Sequence, residues 1–92
     1  MDWNLVSFVT SSKLRFKILI ELNKSKKTPS ELAYITKSPI SHVSSTMKEL
    51  EEKNLIKCLT PERRKNKFYG TTRFGRELLD FISKETKRKD LK

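Results

Sequence analysis

Cysteine, glycine and long apolar runs are what this sequence has least of. A single cysteine, Cys58, rules out an internal disulfide, which fits a reducing compartment, and with no spanning apolar run or leader the protein is expected to be cytoplasmic. Two glycines in 92 residues leave no Gly-rich loop of the kind that cradles nucleotide phosphates, and no nucleophile stands at a recognisable spacing from the lone His42. Neither an enzyme nor a cofactor is expected. The aliphatic runs are no longer than Ile18-Leu19-Ile20, far short of the roughly 20 apolar residues of a spanning helix, and the amino terminus lacks a basic region followed by an apolar one. No membrane partner is expected. Apolar residues make up only 35% of the chain, so part of the core is expected to be completed by a second subunit.

Positive charge is what the chain has most of. The formal net charge is +10 and the pI about 10.0. Such a field favours a polyanion through counterion release and faster encounter, although a Lys-rich solvated surface would give the same total. The length fits one domain, residues 1–92, with a single modest core.

Along the chain, Asp2 is placed to cap a short opening helix carrying Trp3, Val6 and Phe8 or Val9, and a second helix begins after Ser11 or Ser12 with Leu14, Ile18, Leu19 and Leu22 on one face. Lys24-Ser25-Lys26-Lys27 reads as a polar connection. Thr28, Pro29 and Glu31 form a strong helix start: a hydroxyl acceptor, a residue with φ pre-set, and a carboxylate for a capping box. Ser38-Pro39 is expected to restart the chain in the same way. At about 100° per residue, Val43, Met47 and Leu50 then share one face with Ile40 at its edge. Ser41, Ser45 and Lys48 point the opposite way, flanked by His42 and Ser44. Residues 55–60 and 67–71 read as antiparallel strands joined by Pro61-Glu62-Arg63-Arg64-Lys65-Asn66, with Asn66 suited to a left-handed position. Arg63, Arg64, Lys65 and Lys67 give that hairpin four positive charges against Glu62 alone. A last helix from Thr72 carries Phe74, Leu78, Leu79, Phe81 and Ile82, and the polar end from Lys84 is expected to fray.

In this order the parts give an α+β fold, a helix-turn-helix with a β-hairpin wing. The chain resembles the winged helix-turn-helix transcriptional regulators of the ArsR and MarR type, particularly the small archaeal ones. The matching segments are Ser12-Lys13-Leu14-Arg15-Phe16-Lys17-Ile18-Leu19, Thr28-Pro29-Ser30-Glu31-Leu32-Ala33, Ser41-His42-Val43-Ser44, Leu50-Glu51-Glu52-Lys53-Asn54-Leu55-Ile56 and Tyr69-Gly70-Thr71-Thr72-Arg73-Phe74-Gly75. The resemblance implies a homodimer that binds double-stranded DNA and regulates transcription. Metal-sensing ArsR members use clusters of Cys, His and acidic residues. Here Cys58 and His42 sit on different elements, and a closed site needs about four ligands, so no metal is expected.

The expected recognition-helix contacts are Pro39, Ser41, His42, Ser44, Ser45 and Lys48, and the expected wing contacts are Arg63, Arg64, Lys65, Asn66 and Lys67. Thr28, Ser30 and Lys37 are candidate phosphate contacts. Trp3, Val6 and Phe8 with Leu78, Phe81 and Ile82 are the expected dimerisation residues. The alternative is a winged helix that binds another protein within a transcription or chromatin assembly, and the basic hairpin weighs against it. A third reading, RNA or single-stranded DNA binding, lacks an aromatic stacking surface. The residues assign no small-molecule effector.

Overall fold

The caps in the sequence close where the local chemistry places them. The computed structural model describes the backbone of residues 2–90 and the side chains of residues 2–85. Its elements run α1 (Trp3–Thr10), α2 (Lys13–Lys24), α3 (Pro29–Thr36), α4 (Ile40–Glu52), β1 (Ile56–Cys58), β2 (Tyr69–Thr71) and α5 (Arg73–Asp90). This is an α+β winged helix-turn-helix with five helices and one two-stranded antiparallel hairpin among the described residues. Asp2 accepts the amide of Asn4 at 2.9 Å and Ser12 that of Arg15 at 3.2 Å. At α3 the capping box is complete, with the Glu31 amide donating to Thr28 Oγ1 at 3.2 Å and the Thr28 amide donating to Glu31 Oε1 at 2.8 Å. Two orphan amides are thereby satisfied by one reciprocal pair.

The turn between α3 and α4 departs from expectation. Ser38 does not cap α4, and Pro39 is not its first residue: Pro39 is itself the N-cap, and no side chain caps the helix. The reason lies in the end of α3, where Lys37 turns left-handed at φ 55° and the Ser38 amide donates back to the Ala33 carbonyl at 3.1 Å. The Ser38 hydroxyl also turns back, toward the Thr36 carbonyl at 3.3 Å. Ser38 closes α3, so nothing of it remains for α4.

The hairpin ladder is shorter than the apolar runs suggest. Ile56 pairs with Thr71, Lys57 with Gly70 and Cys58 with Tyr69. Beyond these, the Thr60 hydroxyl, in place of a backbone carbonyl, accepts the Phe68 amide at 3.0 Å. Tyr69 also pairs on its other side with Lys27, the two amides reaching the opposite carbonyls at 3.1 and 2.9 Å. The polar connection before α3 thus forms a one-residue third strand. Lys27 is anchored further by its ammonium, which donates to the Glu21 carbonyl at 2.8 Å and to Ser25 Oγ at 2.8 Å, a cation at the carbonyl end of α2.

The core gathers one face of each helix: Val9 from α1, Ile18, Leu19 and Leu22 from α2, Leu32 from α3, and Val43, Met47 and Leu50 from α4. Leu55, Ile56, Leu78, Leu79 and Ile82 complete it from the hairpin and α5. Each side chain buried fully contributes about 1.5–3 kcal/mol, so this cluster is what holds α4 with its polar face outward. The fraying expected from Lys84 onward falls mainly on residues 86–92, whose side chains lie outside the description, as does all of Leu91 and Lys92.

One charge is buried with the core. Glu21 is 7% exposed and accepts the Lys24 ammonium at 3.1 Å, with Lys17 at 3.9 Å. The hydrogen bond from Lys24 holds its carboxyl below the usual glutamate range, outweighing the upward push of burial, and the charges of Lys24, Lys17 and Lys27 act in the same direction as the hydrogen bond. A depressed value contributes stability that is present above the ordinary glutamate range and lost as pH falls through the depressed one. In thermal melts the wild type is expected to lose more stability between about pH 6 and about pH 3 than Glu21→Gln does. Equal losses in the two proteins would show that the carboxylate contributes nothing.

Candidate nucleic-acid interface

Helical phase decides what α4 presents. Val43, Thr46, Met47 and Leu50 are buried, whereas Ser41, His42, Ser44, Ser45 and Lys48 are exposed, with Pro39 exposed just ahead of them. Ser41 and Ser45, and likewise Ser44 and Lys48, stand one turn apart on that outer strip. Three hydroxyls, an imidazole and an ammonium make up this strip, and its serines are short enough to let the helix approach a base edge closely. The first turn has no side-chain cap, so its amides remain available as donors.

The acidic end of α4 is held by a contact that connects three helices. Arg15 on α2 donates from Nη2 to Glu49 Oε2 at 3.1 Å and from Nε to Glu49 Oε1 at 3.4 Å, a fork on both carboxylate oxygens. Its Nη1 donates to the Phe8 carbonyl at 2.9 Å, and the guanidinium lies 4.1 Å from the centroid of the Phe8 ring. In the sequence Arg15 stands only as one residue of the matching segment from Ser12 to Leu19. A bidentate partner 34 positions away leaves no local pattern to find.

Of the three residues expected to meet phosphate at the ends of α3, Thr28 is a correction. It is buried, its hydroxyl and amide are both engaged in the capping box, and the Glu31 carboxylate already occupies the amide end of the helix. Ser30 and Lys37 are exposed.

In the wing, Arg63, Arg64, Lys65 and Asn66 are exposed and Lys67 is half-buried, with Asn66 left-handed at φ 53° as its side chain suits. Arg63 Nη1 donates to the Asn66 carbonyl at 3.4 Å, and its guanidinium lies 5.7 Å from the centre of the Phe68 ring. The Lys26 ammonium stands 5.0 Å from the same ring, so the α2–α3 connection adds a cation beside the wing that sequence reading left out. Arg64 and Lys65 make no described contact within the chain. At the base of the hairpin, burial and then the neighbouring Cys58 raise the Tyr69 phenol above its ordinary value, which keeps it neutral.

The terminal helices meet, but not all their apolar residues are available to a partner. Leu78 is 0% exposed and Ile82 6%, so both serve the chain's own core rather than an outer surface. Val6 and Phe8 are half-buried against that core, and Phe8 carries Arg15 on its ring. Trp3 is 62% exposed and meets Phe81 edge-on, with centroids 5.4 Å apart and an interplanar angle of 69°. Two exposed side chains on the helix-turn-helix were missed: Tyr34 on α3, 86% exposed, and Ile40 at the start of α4, 49% exposed. Tyr34 had a signal, since it falls at a helical phase away from buried Leu32, whereas Ile40 lies at the edge of the buried stripe and is exposed because it opens the helix. Among the described residues, no helix is long and apolar enough to cross a membrane.

Comparison with known proteins does not reach the choice between ArsR and MarR type. No curated protein matches the chain significantly. A family profile described as "Methanogenesis regulatory protein FilR1, N-terminal domain" matches residues 3–82, which takes in α1, the helix-turn-helix, the wing and the first half of α5. By that match the chain belongs to the family of the FilR1 amino-terminal domain, a family of regulatory proteins.

Proposed function

We propose that this domain regulates transcription by binding double-stranded DNA in a sequence-dependent manner, with α4 in the major groove and the wing along neighbouring phosphates. The observation that carries this reading is the outer strip of α4, where Ser41, Ser44, Ser45, His42 and Lys48 are exposed while the rest of the helix is fixed in the core. Ser30, Lys37 and the wing residues Arg63, Arg64, Lys65, Asn66 and Lys67 supply backbone contacts that set position and register. The regulatory family supports the process, and the net charge of +10 supports the partner.

The reading extends to a homodimer of the ArsR or MarR kind, built at the end where Trp3 is exposed beside the half-buried Phe81. A two-fold pair would set its recognition helices about 34–36 Å apart on a pseudo-palindromic site. Sedimentation at micromolar concentration is expected to show a dimer that Trp3→Ala weakens.

Selection of duplex sites from a random pool, followed by titration, tests the base-reading face. The double variant Ser41→Ala, Ser45→Ala is expected to reduce the preference for selected over random duplex by about tenfold or more, with an unchanged melting temperature, because each hydroxyl contact to a base edge is worth of order 1 kcal/mol. An unchanged preference would move the readout off this strip.

A further inference from the structure

Ile40 is an apolar residue on the proposed DNA face that the core does not take in. It opens α4 half-exposed, outside the buried cluster, while Val43, Met47 and Leu50 on the same helix fill the core. At about 100° per residue it lies between buried Met47 and exposed Ser44, on the border of the buried stripe and the polar strip, and its place at the very start of the helix leaves it half in solvent. The half of this β-branched aliphatic side chain that is left in water gains nothing for folding. It would gain from an apolar group on the opposing surface.

The major groove offers one such group. Among the base edges, only thymine presents a methyl there, and the remaining groups are hydrogen-bond donors and acceptors. The rest of the α4 sequence points the same way. From Ile40 to Glu52 it contains no Arg, Asn or Gln, so the two-pronged readers of adenine are missing, Lys48 two turns on is the one side chain of the guanine-reading kind, and Glu49 is held by Arg15. What remains to discriminate bases at the first turn is three serine hydroxyls, His42 and the Ile40 side chain. Lys37 and Lys48, both exposed, flank this turn with the charge that would draw a duplex onto it.

We infer that Ile40 is a specificity-determining residue that reads the 5-methyl group of thymine, so the operator carries an A·T pair beneath the first turn of α4. This rests on the duplex-DNA reading above. The contact is apolar and shape-dependent, so it adds to discrimination without adding to the salt dependence that the Lys and Arg side chains create.

The test uses the whole chain and the duplex that it selects from a random pool. Each thymine is replaced singly by deoxyuridine, which removes the methyl and leaves the hydrogen-bonding edge as it was. At one or two positions the wild type is expected to lose about fourfold in affinity, the transfer free energy of roughly one methylene. Ile40→Ala is expected to bind the selected thymine site about fourfold more weakly, to treat thymine and uracil there alike, and to keep the wild-type salt slope and melting temperature. Indifference of the wild type to uracil at every position overturns the assignment, as does an Ile40→Ala protein that still discriminates. Should Ile40→Ala not fold, the uracil scan of the wild type decides alone. If the pool yields no enriched sequence, the duplex-DNA reading falls and this inference falls with it, whereas enrichment with uracil indifference removes only the inference.

Discussion

Neutralising Arg63, Arg64 and Lys65 together is expected to weaken binding to every duplex by about a hundredfold at about 0.1 M salt and to flatten the slope of log affinity against log salt by up to about three. All three side chains are exposed, and Arg64 and Lys65 have no described partner within the chain, so their charge is available to phosphate. Arg63 is partly engaged by the Asn66 carbonyl and the Phe68 ring, and its single replacement is expected to cost least. Loss of backbone contacts lowers affinity for all sequences by a similar factor, so the ratio of selected to random duplex is expected to stay near that of the wild type. A triple variant with the wild-type slope would place the phosphate track elsewhere, and one that lost only sequence preference would make the wing a base reader. Anisotropy titrations across a salt series measure both quantities at once.

The largest expected effect on stability lies at the junction between the hairpin and α5. Gly75 sits in the first turn of α5, where a Cβ built on its backbone would overlap the carbonyl oxygen of Leu55. That carbonyl also accepts the Thr72 amide at 3.0 Å, and Thr72 Oγ1 donates to the Asn54 carbonyl at 2.6 Å while accepting the Gly75 amide at 2.9 Å. Backbone is packed on backbone here, with no flexible side-chain end to move aside. Gly75→Ala is therefore expected to cost about 3 kcal/mol and to lower the melting temperature by about 12–24 °C. Gly70→Ala is the control. Its Cβ would meet Leu59 Cδ1 at 3.1 Å, the end of a flexible side chain, and the lower entropy of the unfolded alanine chain offsets the small displacement. Similar melting temperatures for the two variants would show that the approach at Gly75 is not the constraint.

What could be read from the sequence was whatever is decided within about one helical turn. Asp2, Ser12 and the Thr28–Glu31 pair cap their helices because a side-chain oxygen two or three residues from a free amide needs no help from the rest of the chain. The stripe of Val43, Met47 and Leu50 follows from helical period alone, and so does the outward face bearing Ser41, Ser45 and Lys48. The errors came where two local rules compete or where a partner is distant. Ser38 could cap α4 or close α3, and the left-handed Lys37 decides for α3. Thr28 reads equally as a cap and as a phosphate contact until the depth of its burial is known. Lys27 pairs with Tyr69 and Arg15 with Glu49 across separations that no short-range pattern records.

The Arg15 fork has a consequence for how the pitch of α4 is set. One planar group holds the last turn of α4 by Glu49 and the end of α1 by the Phe8 carbonyl, with the Phe8 ring against its flat face. A guanidinium is rigid, so these contacts cannot rotate independently about it as they could about a lysine. The opening helix and α4 therefore share a fastener, and an altered seat for α1 reaches the far end of α4 as a change of tilt. The terminus that carries Trp3 is thereby part of the mounting of α4 as well as a surface of its own.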